Sequence, residues 1–163
     1  MKTYMIKTIL LAVALFSSSM AHAFDFFALN EDGVIIYYSI LSSQERTCRV
    51  SRGSTYGSYS GDVKIPERVS YNSIEFTVVK IDNDAFYSCR DLTSVEIPET
   101  VTIIGQRAFG GCTGLTSITI PSNVISIGSG AFGGCVEKPS VFDPRGQAML
   151  TPENFFILTP LKS

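Results

Sequence analysis

The chain has 163 residues, 13 basic against 15 acidic side chains, and 45% hydrophobic residues, which suits one modest domain. The slight negative balance offers no general attraction to nucleic acid or to an anionic membrane. It has a single histidine, His22, and no tryptophan.

Residues 1–23 have the parts of a secretory signal peptide: Lys2 and Lys7 as a positive start, an apolar run from Ile9 to Phe16, and Ala21-His22-Ala23 as the cleavage site. The apolar run is about half the length of a membrane span. No cysteine follows Ala23, so lipid attachment there has no support, and no later stretch reads as a transmembrane span. Cleavage would leave 11 basic against 15 acidic residues and remove the only histidine. Ser-His-Asp and Cys-His nucleophile activation then drop out, as do His-based zinc sites.

Strand material opens the exported chain. Phe24-Asp-Phe-Phe leads to the turn cluster Asn30-Glu-Asp-Gly33, then to the β-forming run Val34–Tyr38. Ser42–Glu45 is a second polar turn and Arg46–Arg52 the returning strand, followed by a Gly/Ser/Tyr loop over Gly53–Gly61. Tyr56 and Tyr59 in that loop are placed to lie over the sheet.

From Ile81 the chain repeats every 23 residues. The columns Ile81/Ile104/Ile127, Ala85/Ala108/Ala131, Phe86/Phe109/Phe132 and Cys89/Cys112/Cys135 coincide, as do Leu92/Leu115, Val95/Ile118, Ile97/Ile120, Pro98/Pro121 and Val101/Val124. Repetition at this spacing marks stacked coils that bury a shared core. In Val95-Glu-Ile97 the side chains alternate in, out, in, and Pro98 stops the strand. Gly105 and Gly128 are expected to allow a tight bend, and Ala-Phe with Cys three residues later to form one short helical turn. An earlier, disguised copy starts at Val63-Lys-Ile-Pro66. Pro66 to Pro98 spans nine residues more than the period, and the extra residues around Tyr71-Asn-Ser73 predict a β-hairpin grown out of one coil.

Cys89, Cys112 and Cys135 fall in one column, which favours buried core thiols. Bridges between neighbouring coils stay open as an alternative, with Cys48 as the odd partner. Gly128-Ser-Gly-Ala-Phe-Gly133 matches a dinucleotide fingerprint in letters only, since Asp84 and Arg107 fill the Gly130 column and no βαβ unit surrounds it. Asp82-Asn-Asp84 lacks the rest of a calcium loop. Arg46, Arg49 and Arg52 divide between strand faces, and Glu96 and Glu99 lie too close in sequence to flank a sugar.

The pattern Leu-x-x-Val/Ile-x-Ile-Pro-x-x-Val-x-x-Ile-Gly-x-x-Ala-Phe-x-x-Cys resembles the BspA-type leucine-rich repeat over residues 81–135. Asp25-Phe26, Gly33, Tyr37-Tyr38 and the run Tyr59–Pro66 resemble that family's N-terminal cap. The resemblance implies a secreted or cell-surface bacterial protein that binds other proteins, often as an adhesin, with no catalytic residues. After Cys135 the sequence departs from the pattern: Lys138 stands where leucine is due and the tail shows no period. Its apolar Phe155–Leu158 run suits either a C-terminal cap or the remnant of a truncated gene.

The expected fold is mainly β with short helical turns, a short leucine-rich-repeat solenoid behind an N-terminal β-hairpin cap. Its parts are a signal peptide (1–23), a cap with a divergent first coil (24–80), repeats (81–135) and a non-repeat tail (136–163). The expected function is protein binding or adhesion, in the secreted, periplasmic or cell-surface space, without catalysis, cofactor or metal. The candidate face comprises Ser94, Glu96, Ser117 and Thr119 on the strands, with Tyr56 and Tyr59 from the cap. The expected partner is an extracellular or surface protein, and no nucleic acid. A self-associating structural segment is the alternative, and a secreted hydrolase, which would need a deep pocket lined by two carboxylates, a remote one.

Overall fold

The computed structural model describes residues 24–135 and 140–142; the expected signal peptide and most of the expected tail lie outside the described residues. Strands β1 (Phe26–Leu29) and β2 (Ile35–Ser42) form the N-terminal hairpin, and β3 (Thr47–Val50) returns antiparallel to β2. Asn30 shapes the hairpin turn. Its side-chain oxygen accepts from the backbone of Asp32 at 3.0 Å and Val34 at 2.8 Å, while Gly33 adopts φ 80°. After β4 (Gly61–Lys64), the extra residues form the expected hairpin of β5 (Arg68–Tyr71) and β6 (Ile74–Ile81). Asn72 and Ser73 both sit at positive φ, 50° and 64°, the primed turn that matches the twist of two tightly joined strands.

The coils then stack through parallel strand pairs in two sheets. One runs β11 (Ser140–Phe142), β9 (Ser117–Thr119), β7 (Leu92–Glu96), β4; each step from β7 to β11 joins residues one period apart. The other runs β1-β2-β3-β6-β8-β10, with β5 on β6, through the two-residue strands β8 (Ile103–Ile104) and β10 (Ser126–Ile127). Cap and coils therefore share one sheet through the parallel pairing of β3 with β6. The sequence gives no sign of this second sheet, because two residues cannot show an alternation. The arrangement fits the short solenoid expected from the repeat. β11 carries the ladder past Cys135, where the expectation was a tail without period; Val141 and Pro144 keep the columns of Ile118 and Pro121.

The Ala-Phe-x-x-Cys segments form bends held by i→i+3 bonds such as Tyr87 N to Asp84 O (3.1 Å) and Cys89 N to Phe86 O (3.1 Å), with no α-helix among the described residues. Left-handed backbone at Asp84, Ser88, Arg107, Gly111, Gly130 and Gly134 breaks each segment twice. The freed amides turn sideways. Asp84, Phe86 and Ser88 donate to Gln106, Ala108 and Gly110 of the next coil, and Arg107, Phe109 and Gly111 to Ser129, Ala131 and Gly133. Gly105 and Gly128 serve a different purpose from the expected bend. A Cβ on Gly128 would lie 2.4 Å from Gln106 N, and one on Gly105 2.5 Å from Asn83 N, so backbones stack there with no room for a side chain.

The apolar columns fill the space between the sheets. Phe86 and Phe109 are stacked at 4.9 Å, Phe109 and Phe132 at 5.3 Å, nearly parallel in both cases. In the cap, Phe26 stacks on Tyr38 at 5.2 Å and on Tyr71 at 4.4 Å, joining the first hairpin to the second. Phe109 is fully buried with a ring on each side, so Phe109→Ala is expected to cost about 3 to 5 kcal/mol in denaturant unfolding. Phe132→Ala, at 6% exposure, is expected to cost less.

Candidate binding surface

Between Leu92 and Ile97 the apolar side chains turn inward and leave polar ones on the outer face of the sheet. The registers align Asp62 with Ser94 and Ser117, and Lys64 with Glu96 and Thr119, in two rows across the coils. The strand residues chosen from sequence are thus brought together by β7 and β9. Glu96 and Thr119 are exposed and Ser94 half-buried. A shallow, open depression of about 330 Å³ lies among Ser94, Glu96 and Thr119, with Val95, Ile97 and Ile118 beneath.

Charge on this face is arranged in pairs. Lys64 Nζ lies 2.6 Å from a carboxylate oxygen of Glu31 and 3.8 Å from one of Glu96, and these partners raise its pKa. Asp62 accepts from the hydroxyls of Thr93 and Ser94, both at 2.7 Å, which lowers its pKa. Asp62, Lys64 and Glu31 were absent from the sequence-based choice. Asp62 and Lys64 could have been found by aligning Val63 with Val95; Glu31 reaches the face only because the cap hairpin folds back over β4.

The two cap tyrosines part company. Tyr59, chosen as a surface residue, is a core residue at 2% exposure. Its ring packs on Phe86 at 4.4 Å and extends the phenylalanine stack, and its hydroxyl donates to Ser51 O at 2.7 Å while accepting from Tyr37 N at 3.2 Å. Burial raises its pKa well above the usual tyrosine range. Tyr56 is exposed, yet it sits against Tyr87 of the first bend, away from the strand rows.

Among the described residues no group of three or more His, Cys, Asp or Glu side chains is placed to hold a metal ion, and no helix is long and apolar enough to cross a membrane. All four cysteines are free thiols, three buried and Cys135 partly so. Cys112 donates to Phe86 O at 2.9 Å and Cys135 to Phe109 O at 3.4 Å, so each thiol reaches back one coil. Burial pushes Cys48 and Cys112 up to about 12 and raises Cys89 and Cys135.

Stacked coils in parallel register, with columns of Leu, Ile, Phe and Cys turned into a shared core, define a leucine-rich repeat protein. The chain belongs to the BspA type leucine rich repeat family: the family model, a region of 6 copies, matches residues 65–162. That match also runs through the tail that looked free of repeats. Among solved structures, a leucine rich cell surface protein from Faecalibacterium prausnitzii is 30% identical, with a TM-score of 0.53, over 73% of this chain and 30% of that one. The T. pallidum leucine rich repeat protein is 26% identical, with a TM-score of 0.50, over 76% of this chain and 51% of that one. The chain thus spans between 30% and about half the length of these relatives. No curated protein matches it.

The raised thiol pKa values carry a stability consequence. Unfolded thiols ionise near 8.5, whereas Cys48 and Cys112 stay neutral to about 12, so folding gains nothing from them below that lower value and loses stability as pH rises above it. Unfolding midpoints are expected to be flat in this respect at neutral pH and to fall between about pH 9 and 12. Cys48→Ala and Cys112→Ala should each flatten that fall.

Proposed function

We propose that this protein is exported and acts as a binding module, contacting an extracellular or surface protein through its strand face, without catalysing a reaction. The observation that carries the reading is the pair of polar rows Asp62–Ser94–Ser117 and Lys64–Glu96–Thr119, fixed across the coils by backbone pairing. A rigid sheet that presents side chains at strand spacing, roughly 4.8 Å, contacts a partner with little ordering cost. The shallow depression on this face does not enclose a small molecule, which supports surface complementarity over chemistry. The cell-surface description of the F. prausnitzii relative supports the same address, as does the signal-peptide pattern of residues 1–23. Adhesion is the form of binding that such an address serves.

With few strands on the face, the buried area is small and the affinity modest. A pull-down from extracellular and surface material identifies the partner. Replacing Glu96 and Thr119 together by alanine is then expected to weaken its binding roughly tenfold, measured by calorimetry or surface plasmon resonance. Unchanged affinity in that double variant overturns the strand-face reading.

A further inference from the structure

A second surface lies on the bends. Four side chains follow one another there: Arg52, Tyr56, Tyr87 and Arg107. The Arg52 guanidinium sits 4.3 Å over the Tyr56 ring, Tyr56 and Tyr87 meet edge to face at 5.3 Å, and the Arg107 guanidinium lies 5.5 Å from the Tyr87 ring. Tyr56 is 54% exposed. Tyrosine and arginine are the residues on which binding energy concentrates at protein interfaces.

The strip is held rigidly. Gly57 N, next to Tyr56, donates to Tyr87 O at 3.2 Å, and Ser58 Oγ bonds back to Thr55 O, so the loop is tied to the first bend. Tyr59, two residues further on, anchors the loop in the core. Tyr87 lies close over the next coil's backbone, where a Cβ on Gly110 would come within 3.0 Å of its ring. Arg107 is committed to Asp84, with Nε at 2.9 Å from one carboxylate oxygen and a terminal nitrogen at 3.1 Å from the other. Arg52 has no such partner among the described ion pairs. Its guanidinium, half-buried over the Tyr56 ring, keeps N–H donors of the kind that grip a carboxylate in two places.

We propose that this strip is a second contact surface that takes an acidic, proline-containing segment of a protein partner, the carboxylate on Arg52 and the pyrrolidine ring on the Tyr56–Tyr87 ledge. Tyrosine ledges suit extended proline-rich chain, which loses little entropy on docking. The proposal rests on the reading of the protein as a protein-binding module, but on different residues from the strand rows, so the two fail separately.

The test is a titration of the isotopically labelled protein with a synthetic peptide of alternating Glu and Pro, followed by backbone amide shifts, with a Gln–Pro peptide as control. Shifts are expected to centre on Arg52, Tyr56, Gly57 and Tyr87. Arg52→Ala should weaken binding roughly tenfold and Arg52→Lys by less, whereas Glu96→Ala should leave it unchanged. The unperturbed amide spectrum of the remaining coils certifies that each variant is folded. Equal binding of the Gln–Pro peptide, shifts centred on Glu96 and Thr119, or no shift at millimolar peptide overturns the proposal. None of these outcomes overturns the strand-face reading, whose own test is the Glu96 and Thr119 double variant.

Discussion

The backbone of a single coil bonds to itself only in its bends; its strands and alternate bend amides find partners in the coil before or after. This holds in both sheets and again along the bends, where Phe86 N reaches Ala108 O and Phe109 N reaches Ala131 O, each at 2.7 Å. A buried amide or carbonyl without a partner costs as much as a lost hydrogen bond. The coils must therefore keep a common register, and the columns of Ile, Ala, Phe, Cys and Leu follow from it. Once the backbone steps by one period, only like residues stack on like, and the rings of Phe86, Phe109 and Phe132 come to lie nearly parallel. Cysteine suits its column because it is small and its thiol has a carbonyl of the preceding coil to reach.

The same dependence makes an uncovered first coil costly, because a strand edge exposes a row of unpaired groups. The N-terminal strands meet this need in two ways. In one sheet, β3 pairs with β6 and continues the ladder outward to β2 and β1. In the other, Asn30 Nδ2 donates to Lys64 O at 2.9 Å, while Glu31 pairs with Lys64 Nζ, so one turn covers the outer edge of β4. The turn also sets the charge pattern at one side of the candidate face, and cap and face cannot be assigned wholly separate duties.

Much of this was legible in the residues. The 23-residue columns identified the core of the coils, and the turn clusters at Asn30–Gly33 and Asn72-Ser73 placed both hairpins. Strand-face residues followed from simple alternation around Val95. What stayed hidden depended on neighbours remote in sequence. The second sheet is carried by two-residue strands whose pairing is visible only once the coils are stacked. Gly105 and Gly128 looked like bends because a close approach between coils leaves no local mark. Tyr59 looked like a loop tyrosine, although it stands where a coil would place its phenylalanine, because the loop ahead of it lacks the Ala-Phe-x-x-Cys frame that would reveal the column. Lys138 broke the leucine column and hid the next strand, although Val141 takes the place of Ile118 in the pairing of β11 with β9.

The β5–β6 hairpin shows what kinds of length change such a chain tolerates. Its extra residues leave the coil and return next to where they left, so Lys80 and Ile81 pair one period on with Ile103 and Ile104. An insertion has two ways of keeping that condition: to add whole coils, or to form a closed excursion that ends where it began. Any other length would slide every later column against its neighbours, setting phenylalanine over backbone and side chains where only glycine fits. Genes for proteins of this kind are thus free to grow by whole copies or to bud closed ornaments of any size, and are barred from lengthening the stretch between two stacked strands.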